Sequence, residues 1–406
     1  MKIYIETHGC TANASDSQAI RNSVLASGGE VVGTPEEADT VVVNTCAVTE
    51  FTSKSMLKAI KKYSGKRVVV AGCMAAAQPY LLKGIRNIQI AEAPGAEAVA
   101  RMLGIMPAAG RPFIKGTSAV VSIAEGCRGH CSYCIVRLVR GPLRSAPVEE
   151  VVHSIKTALR MGAREILLTA QDTGAYGLDA GERLPALMKE ILSIEGDYRI
   201  RLGMMNPFSI ADILGDMARI FNDPRVYRFA HIPVQSGSDR ILGLMERPYT
   251  ESQYRDIVAR LRQEVPGITL STDYIVGFPT ETDEDFALTM DDLRSTRPLK
   301  VNITRFSPRP GTPAACMENL PFRIKKERSR ALTQLHHGIT SEYMRDSAGR
   351  RLSVLVTEEG KPGTSVARDD CYHMVVIPEE ISPGTRLDVK ICGASTTYMV
   401  GKPIDK

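Results

Sequence analysis

The sequence predicts an α/β protein in three parts: an amino-terminal domain built on a parallel sheet, a barrel-like unit of roughly six strand-helix repeats that is only partly closed, and a small all-β module at the carboxyl end. Three observations predict it. Short β-branched runs alternate with helical stretches over residues 1–110, and longer strand-helix units repeat over 111–345. Over 346–406 short strands follow one another without a helical period. A chain of 406 residues also exceeds what one hydrophobic core organises.

In the first part, strands are expected at 2–6, 40–44 and 67–71, with a helix over 17–26 that Gly28 and Gly29 close. The continuous runs Val41-Val42-Val43 and Val68-Val69-Val70 suit strands covered on both faces. Pro107, Gly110 and Pro112 punctuate a linker. The second part carries six expected strands, at 119–124, 165–170, 200–204, 227–232, 269–276 and 300–306, which suggests a barrel that is only partly closed. An open doubly wound sheet is the alternative. In the third part Leu352, Val354 and Val356 alternate with polar neighbours, Lys361-Pro362-Gly363 makes a turn, and strands are expected at 372–377, 386–392 and 397–400.

The formal net charge of +5 permits an anionic partner without requiring one. Residues 1–10 lack the apolar core of a signal peptide, and the longest apolar stretch, 68–77, is too short to span a bilayer. The expectation is a cytoplasmic protein without a membrane partner. In a reducing compartment, nine cysteines suggest metal binding or catalysis before disulfides.

Cys127, Cys131 and Cys134 have the spacing C-x3-C-x2-C, right after the first barrel strand. Three thiolates in one short loop suit an iron-sulfur cubane with its fourth iron left open, and an open metal position is where a cosubstrate binds. Gly126 and Gly129 allow the loop to wrap tightly. A zinc site that borrows His130 is the alternative. Cys10, Cys46 and Cys73 lie far apart in sequence, yet each closely follows an expected strand. In a parallel sheet all carboxyl ends share one edge, so the three thiols can converge there. Cys316, Cys371 and Cys392 have no motif and read as packing residues.

The segment 125–134, with Tyr133 just before the third cysteine, resembles the signature of the radical S-adenosylmethionine superfamily. That resemblance implies a partial (β/α)6 barrel and a [4Fe-4S] cluster whose open iron chelates S-adenosylmethionine, with Tyr133 beside the adenine. Thr7-His8-Gly9-Cys10, Asn44-Thr45-Cys46 and Ala71-Gly72-Cys73 resemble the amino-terminal domain of the methylthiotransferases, which implies a second [4Fe-4S] cluster on Cys10, Cys46 and Cys73. The same resemblance implies cofactor contacts from Gln171 and Asp172, from Gln235 and Ser236, and from Arg247. Asp273, charged in an otherwise apolar strand, needs a polar partner or a ligand and joins this set. No side chain beyond the cluster ligands is assigned a chemical step.

The tail resembles the TRAM domain, which implies RNA binding. The basic stretch Arg323, Lys325, Lys326, Arg328 and Arg330 is a candidate for phosphate contacts, as are Arg137, Arg140 and Arg144. Glu281 and residues 283–285 read as the acidic first turn of a helix. Segments 44–48 and 140–145 place the resemblance nearest the archaeal and eukaryotic branch, which acts on N6-threonylcarbamoyladenosine. The implied partners are the anticodon arm of a tRNA, S-adenosylmethionine and an electron donor. Relatives acting on isopentenyladenosine tRNA or on a ribosomal-protein aspartate are the alternatives. An iron-sulfur electron carrier or scaffold with an RNA-binding tail is the alternative of another class.

Overall fold

The structure is a computed structural model and describes residues 1–9, 11–47, 50–108 and 113–404. Cys10, and Gly110 and Pro112 of the expected linker, lie outside the described residues.

The first sheet has five parallel strands in the order Glu30–Val31, Lys2–Thr7, Thr40–Thr45, Arg67–Gly72, Ile88–Ile90. Its two valine runs are buried on both faces, as continuous apolar strands require. Val41, Val43, Val68 and Val70 pack on one side with Met56 and Ile60 of helix Glu50–Lys62. Val42, Val69 and Ala71 pack on the other with Ile20 and Val24 of helix Thr11–Ala26 and Val99 of helix Ala96–Leu103. The chain reverses its direction of travel across the sheet between the adjacent strands Lys2–Thr7 and Thr40–Thr45. Such a switch opens a crevice at the carboxyl ends.

The second unit carries the six expected strands, all parallel. Ser118–Ser122, Glu165–Thr169 and Arg199–Leu202 form one ladder, and Phe229–His231, Thr269–Val276 and Lys300–Arg305 form another. Single bridges from Ile200 to Val226 and from Met204 to His231 join the two into a half-barrel. Its outer face is the main core: Ala119, Val121, Ile166, Leu168, Ile200, Leu202, Leu270 and Tyr274 are buried under the helices. Because side chains alternate along a strand, the intervening residues turn to the lumen, and these include Arg201, His231, Asp273, Lys300 and Asn302. The lumen is polar, unlike the packed interior of a closed eight-stranded barrel.

Helix Phe322–Arg345 leads to the third unit, a closed barrel in the order Arg351–Glu359, Ser365–Asp369, Met374–Ile377, Met399–Pro403, Arg386–Ala394. Val354, Val356, Ala367, Val375, Val389 and Ile391 fill it, and closure leaves no unpaired edge. The small barrel sits under the amino ends of the half-barrel strands. Its turn 370–373 makes one contact, in which Arg199 pairs with Asp370 at 2.5 Å, Arg228 N–H donates to the Asp370 carbonyl and His373 bonds Thr269; Thr117 bonding the Thr357 carbonyl and Arg386 pairing with Asp197 make others. Tyr372, expected in a strand, instead leads this turn with φ +63° and stacks on Tyr227 and Phe229, its ring centroid 4.9 and 5.2 Å from theirs.

Two expectations from sequence change here. Within the basic stretch, Lys325 and Arg328 are buried: Arg328 pairs with Glu281 at 2.5 Å, and Lys325 donates to the Phe306 carbonyl and to Asn319. Those charges hold the long helix to the half-barrel, so only part of the stretch is left for phosphates. Cys316 and Cys392 are exposed rather than packed.

Candidate functional site

The loop that carries Cys127, Cys131 and Cys134 leaves strand Ala124–Glu125, which pairs antiparallel with Arg144–Ser145, so the loop starts and ends at one point. Gly126 sits at that pinch. Its φ is +79°, and a Cβ there would lie 1.9 Å from the Pro142 carbonyl oxygen. Gly126→Ala is therefore expected to displace the loop, costing about 2 kcal/mol or more and lowering bound iron after anaerobic reconstitution. An iron content and a melting curve equal to wild type would contradict this account of the loop.

Each of the three sulfurs faces N–H groups. Cys127 Sγ accepts from Gly129 N at 3.2 Å, Cys131 Sγ from Arg247 Nη1 at 3.2 Å, and Cys134 from the backbone of Val136 and Arg137. Such bonds stabilise thiolate sulfur and tune a cluster. Burial pushes the Cys127 thiol up to about 11, so a metal that binds there displaces its proton. The three-thiol loop, with its N–H donors, fits the cluster.

Around this loop the structure gathers several of the expected residues. Arg247 is buried and donates to Tyr249 Oη at 2.8 Å, Asn206 Oδ1 at 2.7 Å and the Pro233 carbonyl, besides Cys131. Asp172 accepts from Asn206 and from Ser209 Oγ at 2.6 Å, and burial pushes its carboxyl up against those donors. Gln171 Oε1 accepts from Gly126 N at 2.7 Å, tying the second strand end to the cluster loop. Tyr133 packs edge-on against Phe278. Gln235, at φ +73°, bridges the Asp273 carbonyl and the Ile275 N–H through its backbone. Ser236 is turned elsewhere, its hydroxyl 3.4 Å from Thr289 on helix Asp283–Thr296. Asp273 lies in the lumen, where His231 Nε2 is 3.0 Å from Oδ1 and Asn302 donates at 2.7 Å.

On the amino-terminal sheet, Cys46 and Cys73 stand at the carboxyl ends of adjacent strands, and Gly9 closes on Cys46, where a Cβ would lie 3.2 Å from its sulfur. Cys73 opens a short helix after Gly72, whose φ is +85° and whose Cβ would strike Asn44 and Thr45 at 2.4 Å. Asn13 pins these loops together. Fully buried, it donates to the carbonyls of His8 at 2.7 Å and Thr45 at 2.9 Å, and its Oδ1 lies 3.9 Å from Cys73 Sγ.

The two cysteine groups meet through Arg140. Its guanidinium donates to Asp16 at 2.6 Å and to Asn13 Oδ1 at 3.2 Å on the amino-terminal domain, and to Glu125 at 2.9 Å on the barrel. Its side chain is 3% exposed; burial works against the charge, and Asp16 more than offsets it. Arg140 is thus withdrawn from the phosphate contacts expected of it, as is Arg137, which donates to the Cys127 carbonyl. Asn13, Asn206 and His231 were not legible as site residues. The nearest signal for Asn13 is its place three residues after Cys10, and for Asn206 its place just past a strand end.

Comparison with known proteins adds the lineage. The Radical SAM superfamily matches residues 121–293, uncharacterized protein family UPF0004 residues 2–90, and the TRAM domain residues 346–404. A probable threonylcarbamoyladenosine tRNA methylthiotransferase of Archaeoglobus fulgidus is 39% identical over 99% of this chain and 98% of its own length. The chain belongs to the threonylcarbamoyladenosine tRNA methylthiotransferase family. The Homo sapiens threonylcarbamoyladenosine tRNA methylthiotransferase is 37% identical over 99% of this methylthiotransferase-family chain and 74% of its own. For fold alone, the radical S-adenosylmethionine methyltransferase TsrM from Kitasatospora setae is similar, with a TM-score of 0.57 at 14% identity over 77% of this chain and 76% of its own.

Proposed function

We propose that this chain replaces the C2 hydrogen of N6-threonylcarbamoyladenosine, beside the anticodon of a tRNA, with a methylthio group. Cys127, Cys131 and Cys134 would hold a [4Fe-4S] cluster that, reduced by an electron donor, would split S-adenosylmethionine into methionine and a deoxyadenosyl radical, which would take the C2 hydrogen as deoxyadenosine. Cys10, Cys46 and Cys73 would hold a second cluster that carries or delivers the sulfur, and a second S-adenosylmethionine would give the methyl group. Arg247 and Asn206 keep the cluster loop against the strand ends, Asp172 orients Asn206, and Tyr133 flanks the adenine. The cofactor contacts extend to Gln171, Gln235 and Asp273. We further assign the domains to 1–110, 111–345 and 346–406, and the reaction to the cytoplasm with an electron donor; among the described residues no helix is long and apolar enough to cross a membrane.

The observation that carries this reading is the buried junction of Arg140, Asn13 and Asp16 between the two cysteine groups. A carrier that only stores electrons needs neither a three-thiol loop nor a second cysteine crevice joined to it. Mass spectrometry of tRNA nucleosides from a strain lacking the chain tests it. The 2-methylthio nucleoside should vanish, its threonylcarbamoyl precursor should persist, and the wild-type chain should restore it while Cys131→Ala does not. Persistence of the methylthio nucleoside at its normal level would rule out this substrate.

A further inference from the structure

Three cations crowd the floor of the half-barrel lumen. Lys300 Nζ lies 4.9 Å from the Phe229 ring centroid and 4.6 Å from that of Tyr372; the Arg201 guanidinium lies 5.2 and 5.3 Å from the same rings; the Arg368 guanidinium is 4.8 Å from Tyr372. Cations placed on aromatic faces are attracted to them, but the rings cannot neutralise three charges. Among the described residues none of the three forms an ion pair, and Arg201 Nε is buried without a hydrogen-bond partner. Glu165 is nearby, with its oxygens taken by Ser118 at 2.5 Å and Tyr227 at 2.9 Å. Lys300 donates to the Tyr372 carbonyl at 3.1 Å, and the nearby carboxylates Asp369 and Glu165 act on it only at a distance, Asp369 being bonded to His373. Burial, with Arg368 and Arg201 beside it, pushes the Lys300 ammonium down to about 7. A site of this kind is short of one anion.

The strands that carry these cations run toward the end of the half-barrel where the cluster loop starts. Lys300 is paired with Ser271, and two residues further toward the carboxyl ends Asn302 is paired with Asp273, which bonds His231. The lumen floor is therefore cationic, and the layer above it offers the Asp273 carboxylate, already bonded by His231 and Asn302. The end of strand Lys300–Arg305 lies about 16 Å beyond Lys300 at the usual rise per residue, more than the urea and amino acid alone span, so the base has to enter the lumen for its substituent to reach the floor. A urea followed by an amino acid matches that order, with its amide groups first and its carboxylate last.

We propose that Arg201 and Lys300 are specificity-determining residues that bind the terminal carboxylate of the N6 substituent, with the tail completing the site through Tyr372 and Arg368. This rests on the substrate proposed above. A carboxylate between a guanidinium and an ammonium makes charge-assisted bonds, and it supplies the charge that the floor lacks. Discrimination then comes from the cations left unpaired when a substrate without the carboxylate enters.

The test uses two anticodon stem-loops, one with N6-threonylcarbamoyladenosine and one with its carboxylate converted to the primary amide, titrated anaerobically into reconstituted enzyme by fluorescence anisotropy. Wild type should bind the acid about 10- to 100-fold more tightly than the amide. Arg201→Gln should lose most of that preference while still binding the amide. Lys300→Gln should do the same, and because it also touches the docked turn its melting temperature is read alongside. A variant that keeps the wild-type preference, or that weakens both stem-loops equally, overturns the assignment. If wild type methylthiolates the acid stem-loop but binds both alike, the assignment fails and the substrate stands. If it methylthiolates neither, the substrate reading fails and the assignment falls with it.

Discussion

Replacing Arg140 with Met should lower the stability of the protein by about 3 kcal/mol, because it leaves Asp16 partly buried without the cation it was folded around. Arg140 satisfies two carboxylates and Asn13 at once, and its own side chain is almost wholly buried. Asp16 already has its carboxyl raised by burial and held down by Arg140, so it would lose the interaction that keeps it ionised. A loss of this size should appear in a melting curve as a drop of roughly 4 °C, because the unfolding entropy of so long a chain is large. The double variant Arg140→Met, Asp16→Asn should recover part of the loss, since removing both charges of a buried pair costs less than removing one. If the double variant is no more stable than Arg140→Met, the junction is not organised by that ion pair.

Cys127→Ala should reduce deoxyadenosine formation from S-adenosylmethionine under reducing, anaerobic conditions to that of a protein-free control. Its iron content should fall from about eight to about four atoms per chain, one cubane of two. The thiol lies at the start of the loop, with Gly129 N donating to its sulfur and its own N–H bonded to the Gly141 carbonyl, so no neighbouring side chain replaces it. Deoxyadenosine formed at the wild-type rate by this variant would show that the loop does not hold the radical-generating centre.

Much of the site is written in short stretches of chain. Cys127, Cys131 and Cys134 are within one loop, and their spacing reads as a ligand set because a loop of eight residues can bring three thiols together without help from the fold. The valine runs of the first sheet are similarly local, since a strand buried on both faces needs apolar residues at every position. The six barrel strands also showed in the β-branched runs. Where expectation and structure part, the cause is a partner distant in sequence. Arg140, Arg328 and Lys325 look like solvated charges until Asp16, Glu281 and Phe306 are brought to them. Cys316 and Cys392 look like small hydrophobes, and exposure is decided by which surfaces happen to be covered.

The sequence by itself determined the class of fold, the three-thiol loop and the family, since each depends on periodicity or spacing along the chain. Only the tertiary structure decided that Arg140 joins two domains, that Asn13 stands behind the second cysteine group, and that Tyr372 closes the lumen around Arg201 and Lys300. The physical reason is that a charge has no assigned role until its counter-charge, or the lack of one, is known, and the partners of Arg140 on the amino-terminal domain lie more than a hundred residues away along the chain.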